Sequence, residues 1–145
     1  MKIIIQRVSS AHVEIEGKIK GKINNGFMIL VGFKENDTNE TIDWMCNKIV
    51  SLRIFSDLED KMNLSLSDIN GEILLISNFT LYGDAQKGNR PSFSNAAKPN
   101  IALPLYNYMI ERLKSLGINT ESGIFGASMK VSLINDGPVT ITLER

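Results

Sequence analysis

Along the first sixteen residues apolar and polar positions alternate with the period of two that a half-buried strand requires. Residues 2–8 form one strand candidate, and 11–16 alternate strictly, with Ala11, Val13 and Ile15 on one face and His12, Glu14 and Glu16 on the other. Gly17-Lys18 and Asn24-Asn25-Gly26 punctuate two more strands, 19–23 and 27–33, so the first third predicts an antiparallel meander. The period then changes. Ile42, Met45, Cys46, Ile49 and Val50 recur at helical spacing after Asp37 and Glu40, which stand at capping-box distance, and Trp44 lies at the edge of that stripe. The unbroken run Ile73-Leu74-Leu75-Ile76 predicts a strand over 72–77 that is buried on both faces. A second helix is expected over about 104–116, with Pro104 in its first turn, an apolar face of Leu105, Tyr106, Met109, Ile110 and Leu113, and Gly117 past its end. Residues 83–100 show little periodicity, as a connector or a functional loop would. The chain closes with strands 129–134 and 139–143, and Gly137-Pro138 is expected in the turn joining them.

These elements predict an α/β chain of the α+β type, a mostly antiparallel, barrel-like sheet with two covering helices, in a single domain over 1–145. With 145 residues and 43% hydrophobic content the chain is long enough to bury a core of its own. The apolar run at the amino end is too short for a signal segment or a membrane span, which points to a cytoplasmic protein with no membrane partner. Sixteen basic and sixteen acidic residues cancel, so a nucleic-acid partner must be met by a local patch, and DNA is not expected.

One histidine and one cysteine exclude a Cys-His dyad and any metal site built on Cys/His spacing, so neither a metal nor a cofactor is expected. Cys46 falls on the apolar stripe of the first helix and reads as a small buried hydrophobe, and His12 reads as a surface residue with no nucleophile to serve. What remains for chemistry is two short polar clusters at strand ends, Ser77-Asn78-Phe79-Thr80-Leu81 and Asn135-Asp136-Gly137-Pro138-Val139-Thr140. Backbone groups, hydroxyls or the substrate itself must then do the work.

The two clusters stand among further stretches that resemble one family, D-aminoacyl-tRNA deacylase. The matching residues are Gln6-Arg7-Val8, Leu52-Arg53-Ile54-Phe55, Lys61-Met62-Asn63, Arg90-Pro91-Ser92-Phe93-Ser94, Phe125-Gly126-Ala127-Ser128-Met129 and Val131 to Thr140. The likeness spans essentially the whole chain. Asn78 departs from it, since the family's signature usually carries glutamine there, and a shorter amide reaches less far. The resemblance implies a homodimeric esterase, its active site at the subunit interface, that removes a D-amino acid or glycine from the 3′ acceptor end of tRNA. It also implies a cis Gly137-Pro138 bond that one subunit inserts into the other's pocket to exclude L side chains; from residues alone a trans turn is the default, since about 5–6% of X–Pro bonds are cis.

In that reading Ser77, Phe79 and Thr80 are the catalytic positions, and Asn78, Gly137, Pro138, Phe125 and Met129 bind the substrate. A ribose 2′-hydroxyl beside the scissile carbonyl would supply or orient the proton and water, which fits a chain so poor in acid–base side chains. Thr80 is the one candidate nucleophile, a weak one without an adjacent base; its other role is a hydroxyl that hydrogen-bonds locally at the strand exit. Arg7, Lys87, Arg90 and Lys130 are candidates for tRNA phosphates. Two alternatives stay open: a related editing enzyme with a trans Gly-Pro bond that accepts small L-amino acids, and a tRNA-binding dimer that hydrolyses nothing.

Overall fold

The alternation at the amino end builds one strand, not two. In the computed structural model, which describes residues 1–145, β1 runs unbroken over Lys2–Ile15. Register shifts between Gln6 and Ser10 change which parity faces inward, so Ile3 and Ile5 enter one core and Val8, Ala11, Val13 and Ile15 a second. This bend lets a single strand serve two layers. β1 pairs antiparallel with β2 (Lys18–Ile23) and with β3 (Gly26–Gly32), and because it lies between them the first third is not the expected meander, in which β2 and β3 would be neighbours.

Beyond β3 the pairing departs from the antiparallel expectation. The chain rises through α1 (Asn39–Ser51) and a small hairpin of β4 (Phe55–Ser56) and β5 (Met62–Leu64) into β6 (Glu72–Ser77), which pairs parallel to β3. It then crosses through α2 (Pro99–Ser115) into β7 (Thr120–Ser122), parallel to β6. Parallel neighbours need a long crossover, and the two helices are those crossovers. The last strand, β8 (Lys130–Glu144), returns antiparallel along nearly the whole of β1. The result is a mixed, nearly closed sheet with both helices on one face.

The two cores follow from strand parity. Phe27, Ile29, Val31, Ile73 and Leu75 face the helices and join Ile42, Met45, Cys46, Ile49, Tyr106, Met109 and Leu113. Met28, Leu74 and Ile76 point the other way, into the barrel, against Val8, Ala11, Val13, Ile15 and Ile23. A strand with core on both sides must be apolar at every position, as the 73–76 run is. Truncating one of these side chains, Leu75 or Met109 for example, is expected to cost about 2–5 kcal/mol.

Three helix and turn expectations are corrected. Thr38, not Asp37, caps α1, its hydroxyl accepting from Thr41 N–H, while Asp37 is buried and receives the amino group of Met1 and the Lys34 N–H. α2 begins at Pro99, whose missing N–H costs nothing in a first turn, and Pro104 lies inside the helix. Gly137-Pro138 is not a turn between two strands: β8 passes through it, because β1 pairs with both flanks, Gln6 opposite Thr140 and Val8 opposite Asn135, and residues 136–139 bulge out of the ladder. No helix is long and apolar enough to cross a membrane.

Candidate active site

Where the parallel strands β3 and β6 end, a pocket of about 470 Å³ opens, lined by residues of both cores. Its floor is apolar, formed by Leu30, Val31 and Ile76, and its walls come from Phe33, from Pro99 and Ala102 at the start of α2, and from Phe125 to Met129 and Val131. Ser77 and Asn78 are the polar side chains in this lining, and no lining residue is titratable. A site of this composition can position a substrate and hydrogen-bond to it, but holds no internal base.

The local sequence of the first polar cluster explains its geometry. Asn78 N–H donates to Val31 O at 2.7 Å, tying the exit of β6 to β3. The chain then turns into a single 3-10 turn, Phe79–Tyr82, capped by Asn78, whose amide oxygen accepts from Thr80 N–H at 3.1 Å and also from the Thr80 hydroxyl. Leu81 N–H and Gly83 N–H close the turn on Asn78 O and Thr80 O. The Phe79 N–H, first in the turn, the Asn78 side-chain nitrogen and the Ser77 hydroxyl have no partner within the chain. Asn78, shorter than glutamine, is thereby held by its own turn. Thr80 is exposed and lies outside the pocket lining, and its hydroxyl is matched with an amide, which cannot take a proton from it.

Phe79 stands 58% exposed at the rim and meets Phe93 edge-on, the ring centroids 5.1 Å apart. Phe125 and Met129 are half-buried in the wall, and Phe125 rests near the Tyr106 ring at 6.0 Å. Tyr106 in turn donates its hydroxyl to Leu75 O at 2.8 Å, and burial pushes that phenol up to about 12. The wall is therefore backed by a neutral, fixed ring.

The second cluster is built differently and does not line this pocket. The Asn135 side chain spans the bulge, its oxygen accepting from Val139 N–H at 3.0 Å and its nitrogen donating to Val139 O at 3.4 Å. Arg7 grips the bulge from inside, donating to Asp136 O at 3.0 Å and to Ile54 O at 2.7 Å, with Asp136 Oδ2 at 3.4 Å. Gly137 sits at φ +127°, and a Cβ there would come within 2.8 Å of Val139 Cγ2 and 3.0 Å of Arg7 Nη2. The Gly137-Pro138 peptide is cis, and both residues are exposed.

The phosphate candidates separate. Arg7 is 8% exposed, since it shares the inward parity of Ile3 and Ile5, and its donors are spent on carbonyls and a carboxylate, so it is no surface cation. Lys87 and Arg90 are exposed on the 83–98 segment and make no ion pair, and Lys130 is 86% exposed with Glu14 4.0 Å away. The wall residues Gly32, Phe33, Pro99 and Ala102, and the clamp role of Arg7, were not anticipated from the sequence. The one usable signal was an arginine at an inward-facing strand position.

A family model described as D-Tyr-tRNA(Tyr) deacylase matches residues 4–144. The chain is similar to a D-aminoacyl-tRNA deacylase of Flavobacterium psychrophilum, 54% identical over 99% of this chain and 97% of the relative, and to one of Thermosipho africanus, 53% identical over 99% and 97%. Among solved structures it superposes on the c-Myc DNA Unwinding Element Binding Protein with a TM-score of 0.93 and 38% identity, covering 100% of this chain and 99% of that one. A probable eukaryotic D-amino acid tRNA deacylase shares the fold, with a TM-score of 0.85 at 17% identity over 98% of this chain and 97% of that one. A family model matched over residues 4–144, with relatives 53–54% identical over 97% of their length, places the chain in the D-Tyr-tRNA(Tyr) deacylase family, a family of hydrolases.

Proposed function

We propose that the protein hydrolyses the ester that joins a D-amino acid, or glycine, to the 3′-terminal adenosine of tRNA, with a ribose hydroxyl of the substrate supplying the proton handling that the protein lacks. The observation that carries this reading is a pocket with free N–H donors and no titratable side chain. An aminoacyl ester is already activated, so placement of the carbonyl against a donor such as Phe79 N–H stabilises the developing oxyanion. Ser77 and Asn78 hold the amino acid, and Phe79, Phe125 and Met129 enclose the adenosine. The Asn78–Thr80 hydrogen bond supports a local structural role for the Thr80 hydroxyl over a covalent one.

Chirality is read by a second subunit. The Gly137-Pro138 bulge of one protomer enters its partner's pocket, and the two carbonyl oxygens occupy the space where an L side chain would project. Supporting this are the exposure of both residues, their absence from the chain's own pocket and the double clamp by Arg7 and Asn135. Lys87, Arg90 and Lys130 meet acceptor-stem phosphates. The test is side-by-side hydrolysis of D-tyrosyl-tRNA and L-tyrosyl-tRNA by the purified protein, with and without chelator. Selective loss of the D ester in both series is expected, and equal rates on the two esters would refute the chiral role of the bulge.

A further inference from the structure

A second cavity, polar and about 670 Å³ in volume, lies on the far side of the 3-10 turn from the first. The two share their walls in sequence. β3 ends in Gly32 and Phe33, which line the apolar pocket, and runs on into Lys34, Glu35 and Asn36, which line the polar one; the turn gives Asn78 and Phe79 to the first and Leu81, Tyr82 and Gly83 to the second. The septum is thin. A Cβ on Gly32 would stand 3.0 Å from Asn78 O and 3.3 Å from the Tyr82 ring, tight enough that β3 and the turn would have to part by a few tenths of an ångström. Over the septum rise the exposed rings of Phe79 and Phe93, and Phe93 leads directly into Ser94 and Asn95 of the polar cavity.

We propose that this cavity is a subsite for the nucleotide that precedes the aminoacylated adenosine, a cytidine with its linking phosphate. The inference rests on the proposed function above. On one side of the apolar pocket's mouth, a single strand whose last ribose sits there passes over the septum, where the exposed Phe79 and Phe93 rings offer stacking faces. The cavity's chemistry suits a cytosine more than a bare phosphate. Of its carboxylates, Asp84 is engaged by Gln86 N–H and Glu144 by the Lys2 ammonium, which leaves Glu35 to accept from the exocyclic amine of the base. Gln86 and Asn95 supply amide donors and acceptors for the remaining base edge, and Lys34, which has no ion-pair partner, meets the phosphate. A volume of this size falls within the roughly 300–1,000 Å³ of ligand sites that hold one small molecule.

The test compares two minimal substrates, the D-tyrosyl ester of adenosine, which fills only the apolar pocket, and the same ester on the trinucleotide CpCpA. The wild-type protein is expected to favour the trinucleotide ester in kcat/KM by about tenfold or more, as one or two charge-assisted hydrogen bonds would give. The variant K34A/Q86A/N95A should lose that preference and keep its rate on the adenosine ester. Retention of the preference overturns the subsite, and so does an equal loss on both esters, which would mean that these residues only support the fold. Binding of uncharged CpCpA against adenosine, followed by fluorescence titration of the same two proteins, decides the subsite independently. If neither ester is hydrolysed by the wild-type protein the proposed activity fails, while CpCpA binding that weakens to the level of adenosine in the variant would still establish the subsite, and binding unchanged by the variant would still exclude it.

Discussion

The two polar clusters look alike in sequence and are held in opposite ways. Ser77 to Thr80 is supported by its own strand and turn, and its Ser77, Asn78 and Phe79 line a pocket in the same chain. Asn135 to Val139 is held by its own Asn135 and by Arg7, 129 residues away in sequence from Asp136, and presents its Gly-Pro pair to solvent, outside that pocket's lining. A self-supported turn tolerates side-chain changes, whereas a bulge held by one arginine and one asparagine depends on both and on the absence of a Cβ at position 137.

The largest effect is therefore expected at Gly137. A methyl group at Gly137→Ala meets Val139 and the Arg7 guanidinium at a φ of +127°, displacing the bulge. A shift of about 1 Å in a positioning element costs on the order of 100-fold in rate, so D-ester hydrolysis should fall by about that factor, with the fold retained by circular dichroism. Next is Arg7→Met, which leaves Ile54 O and Asp136 O without donors and should lower stability by about 2–4 kcal/mol in urea unfolding. Selectivity for D over L esters should fall with it. The salt dependence of tRNA binding should not change, since Arg7 faces inward.

How much of this contrast was legible in the sequence depends on where each interaction partner lies. The 73–76 run and the 42–50 stripe specify a doubly buried strand and a one-sided helix, because period and apolarity are local properties, and both elements formed as expected. The start of α2 was not legible as written: Pro99 and Pro104 both suit a first turn, and only packing of Ala102 into the core selects the earlier one. β7 is three residues, Thr120 to Ser122, with no apolar alternation to reveal it, and exists because β6 offers a parallel edge. Gly137-Pro138 has the composition of a turn, yet β1 is long enough to pair with both of its flanks. The Ser77 to Thr80 side of the site was readable as a polar break after an apolar strand. The clamp was not, since Ile54 and Asp136 are brought to Arg7 only by the fold.

Smaller effects sharpen the comparison. Thr80→Val removes one hydroxyl from a turn whose backbone bonds remain, and kcat should drop less than about tenfold, as loss of one hydrogen bond implies. A drop of about 10⁴-fold or more would instead mark a nucleophile. Replacing Lys87, Arg90 and Lys130 together by alanine should reduce the salt slope of tRNA binding by up to about 2–3, at roughly 0.7–0.9 per phosphate contact, without altering hydrolysis of an adenosine ester. The smallest effect belongs to Cys46. Burial pushes its thiol up to about 12, so iodoacetamide at pH 8 should leave the folded protein unmodified and fully active.

In the proposed mechanism the substrate carries the proton chemistry and the protein only positions and polarises. The most direct measurement is single-turnover hydrolysis of D-tyrosyl-tRNA whose terminal residue is 2′-deoxyadenosine, compared with the natural ribose. A loss of at least about 100-fold with binding unchanged is expected, the size seen when a general acid–base group is removed. Equal rates on the two substrates would contradict it and return the chemistry to a group on the protein.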